Sequence, residues 1–258
     1  MSRIIAVINQ KGGVGKTTTS INLSACLARN GRKVLLIDLD PQAHSTIGLG
    51  IEPGSYRVAM HDVLLKKADI REVVLPVKQA DLHVAPSHIR LDKAEQLLGS
   101  ELFRETFLHK AIQGLDYDFI VIDCRPTLGT LTVNALYACN FILVPCEMGR
   151  YSLDGFSDLM ETVENVKNGE DFDKEKLIRI LLTKFDQRNR VSNEWVLNQL
   201  EPYKGLVFKA VIRKNEALNQ AQMAQEHIFD FKSDSIGARD YEKLTREFLS
   251  LCLQLEKN

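Results

Sequence analysis

Gln10-Lys11-Gly12-Gly13-Val14-Gly15-Lys16-Thr17-Thr18 decides the fold of this 258-residue chain. The stretch follows an apolar run, Ile4-Ile5-Ala6-Val7-Ile8, and precedes a helical pattern over residues 17–30. Strand, glycine loop and helix in that order form the context of a phosphate-binding loop. Glycines let the backbone approach an anion without Cβ clashes. Successive N–H groups and the helix N-terminus then offer partial positive charge to it. In the ordinary pattern, G-x-x-x-x-G-K-[ST], Lys16 would reach the terminal phosphates and the Thr17 hydroxyl would hold Mg²⁺. The first glycine of that pattern is replaced by Gln10, and a second lysine, Lys11, stands at the mouth of the loop. K-G-G-x-G-K-T-T is the deviant Walker A form, with Lys11 as its signature lysine.

Working outward, Lys33-Val34-Leu35-Leu36-Ile37-Asp38 and Phe119-Ile120-Val121-Ile122-Asp123 are apolar without alternation. Parallel strands buried on both faces read this way. Further strands are expected near residues 82–86, 141–145, 177–183 and 206–212. Helices are expected over 60–74 (short, with a connection), 90–114, 130–138, 153–168, 193–200, 216–228 and 237–256. Polar loops are expected from Asp40 to Gly54 and over 169–174. In the 90–114 helix, Leu91, Ala94, Leu97, Leu98, Leu102, Phe103, Phe107 and Leu108 supply the apolar positions. The alternation predicts one α/β domain over residues 1–258: a mostly parallel, twisted sheet of about seven strands with helices on both faces.

Function in such sheets gathers at the carboxyl ends of the strands. Asp123, closing a hydrophobic strand, has the Walker B form and would hold Mg²⁺ beside Thr17. The alternative for Asp123 is a helix cap. Asp38 and Asp40, two apart, face the same way in an extended segment. Asp40 precedes Pro41 and is placed to orient an attacking water, the alternative being a turn residue; Asp38 reads as a support behind the Mg²⁺ ligands or as a cap.

Composition is that of a globular protein, 45% hydrophobic and 26% charged. Net charge is −1, which by itself points to no nucleic acid. Its distribution says more, because residues 176–214 hold nine Lys/Arg against three acids. That segment is a candidate anion-binding surface or a solvated face. Five cysteines are scattered without a C-x-x-C; four lie in apolar runs and read as buried small residues, and the odd count points to a reducing cytosol. No apolar run approaches the ~20 residues of a membrane helix. With the first strand starting at about Arg3, no room is expected for an N-terminal helix-turn-helix module.

The stretches 9–19, 36–42 and 121–136 (V-I-D-C-R-P-T-L-G-T-L-T-V-N-A-L) together resemble the ParA/Soj family of partitioning ATPases. That family lies within the P-loop group that includes MinD and the nitrogenase iron protein. Stretches 144–155, 181–188, 211–221 and 233–241 fit too, so the resemblance covers nearly the whole chain. It implies a cytoplasmic, nucleoid-associated ATPase with ATP and Mg²⁺ as cofactors, dimerising on ATP. It implies non-specific binding of double-stranded DNA, a ParB-like stimulating partner and no membrane association. By position it puts nucleotide on Lys11, Gly12, Gly13, Val14, Gly15, Lys16, Thr17, Thr18 and Asp123, with Arg213 and Asn215 near the base. Thr17, Asp40 and Asp123 would serve the metal. Lys11, Lys16 and Asp40 would serve hydrolysis, with Lys11 reaching across to a partner's phosphates. DNA would meet Arg188, with Arg190, Arg213 and Lys214 as further candidates.

Two positions depart from the family pattern. Arg125 replaces the first proline of D-x-P-P, and Glu216-Ala217 follows Asn215 where a second arginine is usual. Two competing readings remain. A MinD-like membrane switch needs a basic amphipathic terminal helix, whereas residues 241–258 carry mixed charge. The other is a metabolic enzyme of the same fold, such as an ATP-dependent synthetase or an iron–sulfur reductase; the latter needs placed cysteines, whereas Cys124 and Cys139 sit in or beside apolar strands.

Overall fold

The computed structural model describes residues 2–149, 155–167 and 177–255. Its strands are β1 (Arg3–Val7), β2 (Val34–Leu39), β3 (Leu75–Pro76), β4 (Leu82–Ala85), β5 (Phe119–Cys124), β6 (Phe141–Glu147), β7 (Leu177–Phe185) and β8 (Val207–Arg213). The helices are α1 (Lys16–Arg29), α2 (His44–Ile47), α3 (Met60–Leu64), α4 (Ile70–Val73), α5 (Leu91–Leu98) and α6 (Phe107–Ile112). They continue with α7 (Thr130–Ala138), α8 (Phe156–Lys167), α9 (Arg190–Gln199), α10 (Glu216–Met223), α11 (Ile228–Lys232) and α12 (Ile236–Leu255).

The strands form one sheet in the order β3-β4-β2-β5-β1-β6-β7-β8. All pairings are parallel except the antiparallel β3–β4 edge. Side chains alternate across the sheet. Leu35, Ile37, Ile120 and Ile122 therefore pack under α3, α5, α6 and α7, through Met60, Leu64, Leu98, Leu108 and Leu131. Val34, Leu36 and Val121 face the other way, onto Leu23 and Leu27 of α1 and Tyr241, Leu244 and Phe248 of α12. Burial on both faces is why β2 and β5 are unbroken apolar runs.

The predicted strands are all present, and the sheet has eight rather than seven because β3 adds a two-residue edge. The stretch before β3 holds two short helices, α3 and α4, and the loop after Asp40 contains α2. The helix predicted over 90–114 is broken. Gly99 ends α5, Phe103 takes a left-handed φ of 56°, and a 3-10 turn (Arg104–Thr106) precedes α6. Leu102 and Phe103, two of the apolar positions of that expected helix, are 82% and 70% exposed. Glycine and a left-handed backbone stop the helix before the apolar pattern ends. The predicted polar loop 169–174, the start of the 153–168 helix and Lys176 lie outside the described residues.

Candidate nucleotide site

The loop between β1 and α1 lies at the carboxyl edge of the sheet. Gly13 and Gly15 have φ of 73° and 91°, where an L side chain is strained. The loop is tied down at several points. Thr183 Oγ1 of β7 donates to the Val14 carbonyl at 2.8 Å. Asn9 Nδ2 donates to the Pro145 carbonyl at 2.7 Å, and its Oδ1 accepts from Lys11 N at 2.9 Å. Gly15 is the N-cap of α1 and contributes no side-chain bond, so the first turn's N–H groups stay available.

The two lysines differ in setting. Lys16 is buried and its Nζ donates to the Lys11 carbonyl at 2.9 Å. Burial lowers its pKa, while Asp123, Cys124 and Asp40 oppose that shift. Lys11 is about one-third exposed, and its Nζ lies 3.8 Å from Glu147 Oε2. Glu147 also holds Lys184, at 3.3 Å.

Asp38 and Asp123 face each other across the β2–β5 ladder and are fully buried. Asp123 accepts from Ser20 Oγ at 2.9 Å, from Ser45 Oγ at 2.5 Å and from the Thr17 hydroxyl. Burial raises its pKa, and the three hydroxyl bonds pull it back. Asp38 Oδ2 accepts from Thr46 N and Thr46 Oγ1 at 2.9 and 2.8 Å, and Oδ1 accepts from Asp40 N at 3.1 Å. Burial first, then the Asp123 charge, pushes Asp38 up to about 7. Asp40 lies partly exposed past the end of β2 and accepts from Gln42 N at 3.0 Å.

Lys11, Gly12, Gly13, Val14, Gly15, Lys16, Thr17, Asp40 and Asp123 are thus gathered at one sheet edge. Burial and mutual repulsion disfavour the charged forms of Asp38 and Asp123, and a divalent cation bound here would favour them. Thr17 and Asp123 offer hard oxygen ligands of the kind Mg²⁺ takes, together with phosphate oxygens and water. Among the described residues, no cluster of three or more His, Cys, Asp or Glu side chains could hold a metal alone. The Thr17 and Asp123 oxygens fit a metal whose remaining ligands are phosphate oxygens and water. All five cysteines are buried, and none forms a disulfide.

Beside the loop, Gly15 and Thr18 share a cleft of about 350 Å³ with Met148, Asn189, Arg213 and Asn215. Asn215 Oδ1 is used in capping α10, accepting from Ala217 N at 2.8 Å. Thr18 Oγ1 accepts from Gln222 Nε2 at 2.5 Å. Arg213 is engaged by the buried Asp240 through Nε at 2.9 Å and Nη2 at 2.5 Å. Arg188, Arg213 and Lys214 line an adjoining cleft of about 450 Å³, while Arg190 is exposed at the start of α9. Arg188 pairs with Asp186 at 2.7 Å. That guanidinium holds the Asp186 carboxyl down at about 2. Lys214 and Arg190 are thus the least encumbered of the four.

Ser20, Ser45, Thr46, Glu147 and Thr183 were not singled out by sequence. Ser20 alone carried a usable signal: it lies three residues after Thr17, on the same helix face. The others reach the site only through the tertiary fold.

A family profile described as an AAA domain matches residues 2–178. The sporulation initiation inhibitor protein Soj of Bacillus subtilis is 39% identical over 249 residues, covering 96% of this chain and 98% of Soj. The chromosome partitioning protein ParA of Myxococcus xanthus is 38% identical, covering 96% and 88% of the two chains. Among solved structures, cobyrinic acid a,c-diamide synthase from Mycobacterium smegmatis with a bound ATP analogue and magnesium superposes with a TM-score of 0.82. It is 31% identical and covers 96% of this chain and 95% of its own. Among the described residues, no helix is long and apolar enough to cross a membrane.

Proposed function

The chain belongs to the ParA/Soj family of partitioning ATPases, and on that premise we propose that it is an ATP-driven dimerisation switch acting on DNA. ATP and Mg²⁺ are its cofactors, as the ligands of the related synthase suggest. The nucleotide-loaded dimer would bind duplex DNA without sequence preference. A ParB-like partner would stimulate slow hydrolysis and so release it. The protein would work in the cytoplasm, on the nucleoid, to position chromosome, plasmid or other cargo.

The observation that carries this reading is the division of labour between the two lysines. Lys16 lies inside its own loop, where it would hold the β- and γ-phosphates. Lys11 stands at the rim, paired only loosely with Glu147 at 3.8 Å. An ammonium so placed can leave Glu147 and neutralise charge on the phosphates of a facing subunit. Thr17 and Asp123 would hold Mg²⁺, with Ser20 and Ser45 fixing the Asp123 oxygens. Mg²⁺ bound there would draw charge from the phosphate oxygens. Asp40, at the open end of β2, would orient the attacking water. Arg213 and Asn215 would border the base in the cleft beside Gly15. DNA phosphates would meet Arg190 and Lys214 most directly, with Arg188 and Arg213 contributing less because Asp186 and Asp240 offset their charge.

A gel-shift series with unrelated duplexes tests the reading, run with ATP, ADP or no nucleotide over rising salt. Binding should need ATP, ignore sequence and fall steeply with salt, because phosphate neutralisation releases counterions. Equal binding without nucleotide, or none with ATP, would remove the DNA switch.

A further inference from the structure

We propose that Arg125, Glu95 and Asp92 form an ionic latch that fixes the loop leaving Asp123, with Glu95 as a positioning residue for the metal carboxylate. Arg125 is the first residue past β5 and stands two residues after Asp123. Its Nη1 donates to Glu95 Oε2 at 2.5 Å and to Asp92 Oδ1 at 3.0 Å. Both carboxylates project from α5. The Arg125 and Glu95 side chains are 23% and 17% exposed. Asp92 is 45% exposed, so the Glu95 arm of the bridge is the one that salt screens less than a surface pair.

Glu95 does more than pair with the arginine. Its other oxygen, Oε1, accepts from Leu131 N at 3.1 Å, in the first turn of α7. The N-cap of α7 is Gly129, which has no side chain to cap with. Glu95 therefore supplies both the missing cap and a negative charge at a helix N-terminus. One carboxylate thus holds the start of loop 125–129 through Arg125 and its end through Leu131. Gly129 makes room for it, since a Cβ there would overlap Glu95 Oε1. Gly129 has φ −80° and ψ −172°, which any residue can adopt, so the glycine is needed for space and not for its backbone.

Proline at position 125 would limit the exit from β5 through its ring. Arginine replaces that restraint with a tether to α5, which can be made or released. Asp123 and Cys124 are the last β5 residues paired with β2. The latch therefore governs the first backbone segment free to move when the Asp123 carboxylate engages a metal. Arg125 Nε is buried without a partner among the described residues, so the guanidinium keeps donor capacity that its α5 partners do not use.

The inference rests on the ATP reading for its metal arm only; its exchange arm needs no ligand. Two variants isolate the latch. Glu95→Gln keeps an acceptor for Leu131 and the same shape but removes the charge. Gly129→Ala leaves every charged group in place and pushes the carboxylate off its partners. Amide hydrogen exchange is measured on nucleotide-free protein, and a non-hydrolysable ATP analogue is titrated with and without Mg²⁺. In both variants, amides of residues 125–131 should exchange about tenfold faster while those of β5 stay protected. Half-saturating Mg²⁺ should rise about three- to tenfold, below the loss for a direct ligand partner, with metal-free affinity within twofold. Arg125→Ala added to Glu95→Gln should bring less than a further twofold change. Unchanged exchange in both variants would overturn the latch, as would exchange that rises throughout the chain. Failure of the unaltered protein to bind the analogue would sink the ATP reading, leaving the exchange result to decide the latch.

Discussion

Replacing Arg213 by alanine would leave Asp240 as a buried carboxylate without its cation. The Asp240 side chain is 2% exposed, whereas that of Arg213 is 34% exposed, so the two partners do not have equal stakes. Arg213→Ala removes the Nε and Nη2 donors at 2.9 and 2.5 Å and keeps the backbone N–H bond to Oδ2 at 3.0 Å. Stranding one member of a buried pair costs about 3–5 kcal/mol. The surviving bond, and water entering where the guanidinium was one-third exposed, reduce that to about 2–3 kcal/mol. Asp240→Asn, by contrast, leaves a guanidinium that water can reach, at about 1 kcal/mol. The pair joins α12 to the end of β8, beside the base cleft. The assay is urea denaturation with a thermal scan of each variant and the double variant. Arg213→Ala should lower the melting temperature by about 4–12 °C for a chain of this length. Asp240→Asn should lower it less, and the double variant should be more stable than Arg213→Ala alone. An Arg213→Ala loss below about 1 kcal/mol, or a larger loss from Asp240→Asn, would refute the reasoning. A DNA-binding defect in Arg213→Ala should be read only after correction for this loss.

Lys16→Ala should abolish nucleotide binding, since no other ammonium lies inside the loop; unchanged affinity for a fluorescent ATP analogue would remove the assignment. Asp40→Ala should keep ATP binding but stall hydrolysis and trap a dimer; size-exclusion chromatography with ATP and Mg²⁺ showing only monomer would contradict it. Asp38 is raised from 3.8 to about 7 in the fold, so the folded state binds the proton more tightly than the unfolded one. Its contribution to stability is complete below the unfolded value and is lost as pH rises through about 7. Without metal, the urea midpoint should fall between about pH 4 and 7, and Asp38→Asn should flatten that slope; a midpoint that rises across the window would reverse the sign.

Strands buried on both faces were legible because Val34–Leu39 and Phe119–Cys124 have no polar alternation to confuse them. β3 was not, because two residues carry no period. The helix over 90–114 misled because Leu97, Leu102 and Phe103 continue an apolar pattern although all three are exposed; periodicity reports amphipathicity, not burial. In the site, the loop lysines, Thr17, Asp40 and Asp123 were legible because local order fixes them at strand ends. Ser45, Thr46, Thr183 and Glu147 were not, because only the tertiary fold brings α2, β6 and β7 around the loop. The carboxylates that neutralise Arg188 and Arg213 show why a basic segment overstates its free charge: Asp186 sits two residues away, but Asp240 comes from α12.

The central claim is that Lys11 makes this site depend on a second subunit. Sedimentation velocity of unaltered protein and of Lys11→Ala, each with ATP and Mg²⁺ and each with ADP, tests it directly. The unaltered protein should be dimeric with ATP and monomeric with ADP, and Lys11→Ala should still bind ATP yet remain monomeric. A Lys11→Ala protein that dimerises with ATP as well as the unaltered chain would contradict the account.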